Sequence, residues 1–366
     1  MLEILRSQHL VFYTLIFLVS ATITWLCIPS ILHVARARHL YDDIGHFRKE
    51  HDHGIPRLGG VAIFVSFNIT ALLFGILDKS LPVSYMLTAC IILFAMGLKD
   101  DLSGVNSSTK FVIQAIVALI LVVPADIRIS SMYGIFGIYN LPYMPSVLMS
   151  VLLIMLIVNS FNLIDGINGL AASTGIIVNC TFAFLFFYIR QYELAAIGLA
   201  MAGAILGFLR FNLSPARIFM GDTGALLIGL VSSVMALKFI TLSMSGGGAP
   251  DLMFYSPALT VAILAGPVFD TLRVFTIRLS KGKSPFDADR NHIHHRILRL
   301  GLNHVQATLC LSVMSLLSIS SVFLFSKLGN SWLIGLIFFI SLTANFLITI
   351  MLRAKRRREA ALAIAN

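Results

Sequence analysis

Apolar runs of about twenty residues recur along the whole of this 366-residue chain, separated by short polar links. Such runs match the hydrocarbon thickness of a bilayer when helical. Eleven can be marked, at 10–35, 59–77, 82–98, 110–125, 146–163, 171–189, 193–210, 223–243, 255–279, 307–326 and 332–353. In lipid every backbone polar group must be satisfied internally, so runs of this length fold as helices. With 58% hydrophobic and 12% charged residues and a mean hydropathy of +0.90, the chain reads as an all-α polytopic membrane protein. About eleven transmembrane helices in a single integral-membrane domain over 1–366 are expected. The first run is too long for a removable signal peptide and lacks a small-residue cleavage site, so it is expected to stay as an anchor.

Orientation follows from lysine and arginine. With the N-terminus outside, all of them except Arg6, Lys79, Arg128, Arg190, Lys327 and the intraspan Lys238 fall on inner segments. The tail "RAKRRREA" is therefore expected in the cytoplasm. Topology and contact with anionic lipid then account for the net charge of +10, and no nucleic-acid partner is implied. Cys27, Cys90, Cys180 and Cys310 sit in apolar runs at unrelated spacings and suggest neither a metal site nor a disulfide framework. The sizeable outer segment "ADIRISSMYGIFGIYNLPYMP" alternates apolar residues with Gly and Asn, which predicts a short β-hairpin near 126–143.

Sorted by side, the acids and histidines gather at cytoplasmic span ends, including Asp100, Asp101, Asp165, Asp222, Asp287, Asp289, His292, His294, His295 and His304. An ion-coupled transporter should instead place ionisable groups near the midplane. Its best residues, Arg273 and Lys238, face no obvious matching acid. Asp100 and Asp101 end a span where the helix dipole disfavours negative charge, so Lys99, Lys110, a divalent metal or a cationic network should compensate. Asp222, in "RIFMGDTGALLIGL", starts a span as an N-cap or as a metal ligand. In "NSFNLIDGING", a cap explains Asp165 but leaves Asn159, Asn162 and Asn168, amides suited to coordinating Mg²⁺ or reading a base edge. The loop "SKGKSPFDADRNHIHHRILRLG" sets histidines between Arg290 and Arg296, which fits a phosphate-bearing ligand. A zinc-dependent intramembrane hydrolase is the weaker alternative, because no cysteine or clear fourth ligand is present. "HDHGIPRLGG" either brings its backbone close to a ligand or starts a helix.

Five blocks in order, "HDHGIPRLGG", "KDDLSGVNSSTK", "NSFNLIDGINGL", "FMGDTG" and "DRNHIHH", resemble the polyprenyl-phosphate N-acetylhexosamine-1-phosphate transferase family. "SPFDADRNHIHH" is similar to its WecA-type branch. The resemblance implies transfer of N-acetylhexosamine 1-phosphate from a UDP-sugar to undecaprenyl phosphate, with UMP released and Mg²⁺ as cofactor, Mn²⁺ as a substitute. N-acetylglucosamine is the foremost sugar, and the step would be the first membrane step of cell-surface glycan synthesis. The resemblance implies Asp222 and Asn162 as metal ligands, Lys110 on donor phosphate, and Phe219 with Asn168 around the uracil. It places Arg290, His292, His294 and His295 at the sugar and pyrophosphate. Asp100, Asp101, Asp165 and His292 are the catalytic candidates. Many bacterial members carry an aspartate where this chain has Asn168; an amide can still pair with the uracil N3–H. The expected location is a bacterial inner membrane with the site on the cytoplasmic face, and a homodimer is left open.

Overall fold

The computed structural model describes residues 8–40, 54–74, 83–244, 255–283 and 291–365. Four helices come first, α1 (His9–Ala37), α2 (Gly59–Leu73), α3 (Val83–Ser103) and α4 (Ser107–Val122). After the loop that follows α4 come α5 (Tyr143–Ile164), α6 (Leu170–Tyr188), α7 (Tyr192–Asn212), α8 (Gly221–Met244) and α9 (Ser256–Leu279). The short α10 (Ile293–Arg299), α11 (His304–Leu324) and α12 (Asn330–Ala365) complete the chain.

Eight of these helices are long and apolar enough to cross a membrane: α1, α5 to α9, α11 and α12. The other three expected spans fall on α2 and α4, apolar but short at 15 and 16 residues, and on α3, whose end carries Lys99, Asp100 and Asp101. At 36 residues α12 extends about 54 Å, beyond the roughly 30 Å hydrocarbon core, so its basic end projects past the bundle.

α8 is the axle of the bundle. Its apolar stretch is 83% buried, against 22% for α12, and it is flanked by α3, α5, α6 and α2. α1 and α2 close on α7 through a buried hydroxyl pair, Ser20 and Ser66 at 3.1 Å, with Ser20 also donating to the Ala200 carbonyl. Such small polar contacts suit helices meeting in lipid, where burial of apolar surface gives little drive for association. Outward, α12 shows Trp332, Phe339 and Phe346, and α5 shows Leu148 and Leu152, as a lipid-facing surface requires.

The loop between α4 and α5 corrects one expectation. Among the described residues there is no β-strand; 126–143 holds a single antiparallel bridge, Ser131 to Asn140, and a 3₁₀ turn over Ile135–Gly137. Tyr133, Gly134 and Gly137 adopt positive φ, and these left-handed residues curl the chain back before a ladder can extend.

Candidate active site

Asp101, at the end of α3, serves as the cap of a different helix. Its Oδ1 accepts the N–H of Asp222 at 2.8 Å, and its Oδ2 accepts the N–H and hydroxyl of Thr223 at 3.0 and 2.6 Å. The positive end of the α8 dipole thus compensates an acid that its own helix end disfavours. Gly221 makes this approach feasible: its φ is +73°, and a Cβ there would stand 2.5 Å from the Asp101 carboxylate. The cap expected from Asp222 itself is therefore supplied across the bundle, which leaves the Asp222 carboxylate available.

That carboxylate meets Lys110, from the first turn of α4. The Lys110 ammonium bridges Asp222 Oδ2 at 2.8 Å and Asp100 Oδ2 at 2.6 Å, while Asp100 Oδ1 accepts the Val105 N–H. Asn162, from the last turn of α5, hydrogen-bonds Asp222. Asp165 accepts the Gly221 N–H and feels the charges of Asp222, Asp101 and Arg57. Lys99, the other expected partner, is exposed.

Lys110 bridges two of these four carboxylates and Arg57 acts on a third, and the acids' proton affinities record the crowding. Burial pushes Asp101 up to about 6 despite its three donors. Burial, with the Asp222 charge added, raises Asp100 against the pull of Lys110. Burial and then Asp222 and Asp101 hold Asp165 well above the carboxylate range. Excess negative charge of this kind is relieved by a cation. One oxygen each from Asp100, Asp101 and Asp222 lie within 4.8 Å of one another, and Lys110 already stands where positive charge is wanted. All the donors are hard oxygens, as Mg²⁺ prefers.

The segment "GIPRLGG" starts α2 and approaches protein backbone closely. Pro56 O accepts the Phe219 N–H, Phe219 O and Met220 O accept from Gly59 and Gly60, and a side chain on Gly60 would overlap the Gly224 backbone. Phe219 itself stays partly accessible, three residues before Asp222.

The histidines form the adjoining wall. His292 precedes α10, and its Nδ1 lies 2.9 Å from Asp270 Oδ2. Asp270, on α9, also accepts the Ile293 N–H and pairs with Arg273 at 2.8 Å. His294 is buried between His292 and His295, and a side chain on Gly166 would strike its Nε2, so the Asp165 turn and the histidine helix are in contact. Burial, then the neighbouring His295, drives His294 down to about 3. Asn168 is held by its backbone: its N–H donates to His304 Nδ1 at 3.2 Å and its carbonyl accepts from Thr308 at 3.1 Å. Arg290, Asp287 and Asp289 lie outside the described residues. Among the described residues, no histidine joins a cluster of three metal-ligating side chains.

Sequence reasoning missed Asp270. Read as one more residue of an apolar span, it left Arg273 without an acid, whereas the two pair across one helical turn at i and i+3. It also missed Thr223, Arg57 and Asn212, which accepts the Gly169 N–H, and it grouped His304 with the other histidines without the contact His304 makes to the Asn168 backbone. An acid inside an apolar run is itself the signal that could have found Asp270.

Fold and site together define a polytopic helical membrane protein with a cluster of charged side chains at one end of its spans. The signature of glycosyl transferase family 4 matches residues 83–240. The chain is 32% identical over 337 residues to a probable undecaprenyl-phosphate N-acetylglucosaminyl 1-phosphate transferase of Bacillus subtilis, covering 91% of this chain and 90% of that protein. It is 29% identical over 307 residues to the undecaprenyl-phosphate alpha-N-acetylglucosaminyl 1-phosphate transferase of Escherichia coli K12, with 82% and 81% covered. A decaprenyl-phosphate N-acetylglucosaminephosphotransferase of Mycolicibacterium smegmatis is 31% identical over 283 residues, with 72% and 70% covered. The chain belongs to the WecA-type polyprenyl-phosphate N-acetylglucosamine-1-phosphate transferases.

Proposed function

We propose that this protein moves N-acetylhexosamine 1-phosphate, with N-acetylglucosamine as the first choice of sugar, from a UDP-sugar to undecaprenyl phosphate, releasing UMP. The observation that carries this reading is the meeting of Asp100, Asp101, Asp165, Asp222, Asn162 and Lys110, drawn from separate segments to one end of the spans. The distribution of lysine and arginine supports a cytoplasmic position for that end, and the bacterial relatives support an inner membrane, so UDP-sugars would be within reach.

Phosphoryl transfer needs positioning and charge neutralisation more than covalent help from protein groups. Asp222, Asn162 and Asp100 would hold Mg²⁺, which when bound supplies charge neutralisation to the donor pyrophosphate. Lys110 then has a phosphate to contact in place of its two carboxylates. Asp101 keeps the α8 end and its N–H groups in place, because both of its oxygens are engaged. The acceptor is a phosphate monoester with a second pKa near 6, already largely dianionic at neutral pH, so little deprotonation is required. Asn168 and Phe219 would take the uracil. Arg290, His292, His294 and His295 would line the sugar and pyrophosphate.

An apolar groove of about 470 Å³ between α5, α8, α9 and α12 suits the polyprenyl chain. It follows α9 from Pro257 to Leu272, about 22 Å. A smaller cavity that reaches Asp270 and Ile293 shares Ala265, Phe269 and Ser341 with it, so a chain in the groove leads toward the histidine wall.

With purified protein, label from UDP-N-acetylglucosamine should enter organic-extractable lipid, stop on chelation, and resume with Mg²⁺ but not Zn²⁺. Zn²⁺-dependent release of water-soluble sugar phosphate, with no label in lipid, would favour the hydrolase instead. Replacing Asp222 by Asn should abolish turnover; near-normal turnover with an unchanged Mg²⁺ requirement would remove Asp222 from the metal.

A further inference from the structure

We propose that Asp270 is a positioning residue that sets which nitrogen of His292 faces the substrate. This rests on the placement of His292 at the sugar-pyrophosphate pocket given above.

Asp270 is 1% exposed, at the end of an apolar stretch of its helix, and it is surrounded by donors. Its Oδ1 accepts from Arg273 at 2.8 Å and from the Ile293 N–H at 3.0 Å. Its Oδ2 accepts from His292 Nδ1 at 2.9 Å and shares the Ile293 N–H at 3.2 Å. A carboxylate in such company is ionised and acceptor-only, so the proton of this contact belongs to His292 Nδ1. In the neutral ring Nε2 is then bare, an acceptor for a sugar hydroxyl or amide N–H. Asp270 also fixes where the ring stands, since the Ile293 N–H it holds belongs to the first residue of α10. Arg273 completes the clamp by donating to the Asn291 carbonyl. The peptide groups on either side of His292 are thus tied to one turn of α9.

Asp270→Asn makes the inference testable. Oδ1 faces the Arg273 and Ile293 donors, so the amide oxygen must take that place and the amide NH₂ the place of Oδ2. An N–H then points at His292 Nδ1, which can accept only in the Nε2–H form. The ring keeps its position while its substrate-facing nitrogen turns from acceptor to donor.

The experiment is a double-mutant cycle on purified full-length protein, with wild type, Asp270→Asn, His292→Ala and the pair assayed for sugar-phosphate transfer. Carboxylates that orient metal-bound histidines carry about ten- to a hundredfold in activity, and Asp270→Asn, which disturbs the same kind of carboxylate–imidazole contact without a metal, should lower kcat/KM by about tenfold. In the His292→Ala background the same change should cost less than about twofold, because Asp270 acts through His292. Asp270→Glu, which keeps the carboxylate, should recover part of the activity that Asn loses. A full loss repeated in the His292→Ala background, whether from misfolding or from an independent role, would overturn the proposal. So would wild-type activity in Asp270→Asn. If His292→Ala alone retained wild-type turnover, the placement of His292 in the pocket would fall instead, and the cycle separates these outcomes.

Discussion

Replacing Lys110 by Met should lower stability and activity while strengthening the response to Mg²⁺. The Lys110 ammonium is in contact with Asp100 and Asp222 at 2.6 and 2.8 Å, and these three side chains are 24%, 13% and 22% exposed. A fully buried pair that loses one partner costs about 3–5 kcal/mol, and a surface pair about 0–1 kcal/mol. At intermediate burial, with two carboxylates left facing each other, a loss of about 1–3 kcal/mol is expected in metal-free buffer. If the ammonium stands where a divalent cation would compete, its removal frees both carboxylates and deletes a repelling charge. Mg²⁺ affinity should then rise by about tenfold, worth about 1.4 kcal/mol. Binding to the folded state stabilises by mass action, so the melting temperature of the variant should climb more steeply with Mg²⁺ than that of the wild type. Thermal unfolding in detergent across a Mg²⁺ titration measures this, alongside turnover, which should be largely lost. A variant that responds to Mg²⁺ no more strongly than the wild type would refute the idea that Lys110 and the metal share one site.

Gly221→Ala should destabilise by about 1–3 kcal/mol, because it forces a side chain into a left-handed position beside the Asp101 carboxylate; unchanged melting would show that the α3–α8 cap tolerates displacement. His294 protonates near 3 when folded and near 6.5 when unfolded, so as the pH falls the unfolded chain binds the proton first. Its contribution is complete above about 6.5 and declines by up to about 1.4 kcal/mol per pH unit down toward 3. Melting curves from pH 7.5 to 5 should therefore fall more steeply for the wild type than for His294→Gln, and equal slopes would count against a buried neutral ring. Val268→Trp narrows the apolar groove and should raise KM for a long polyprenyl phosphate several-fold more than for a short one; an equal effect on both would place the chain elsewhere.

Much of this architecture is written in the chain at the level of single segments. Runs such as 193–210 and 223–243 could only be helices, because lipid leaves the backbone no other partner, and α7 and α8 follow them closely. Sorting the acids by side anticipated that Asp100, Asp101, Asp165 and Asp222 would meet, since alternating spans bring those ends together. The division of labour among them was not legible. Asp101 caps α8 from α3, an arrangement that depends on the helix crossing and on the conformation of Gly221. Asp270 looked like one polar residue in an apolar run, and only the fold sets His292 against it. The outer hairpin failed for a local reason, because alternation predicted strands where left-handed residues turn the chain too soon.

The most direct test follows two labels through one reaction. Purified protein, undecaprenyl phosphate and Mg²⁺ would be given UDP-N-acetylglucosamine labelled with ³²P at the phosphate next to the sugar and with ³H in the sugar. Both labels should reach the lipid in equal amounts, matched by released UMP, and Asp222→Asn should stop both. Sugar arriving without its phosphate, or both labels staying in water with folded protein present, would contradict transfer of an intact sugar phosphate at this acid cluster.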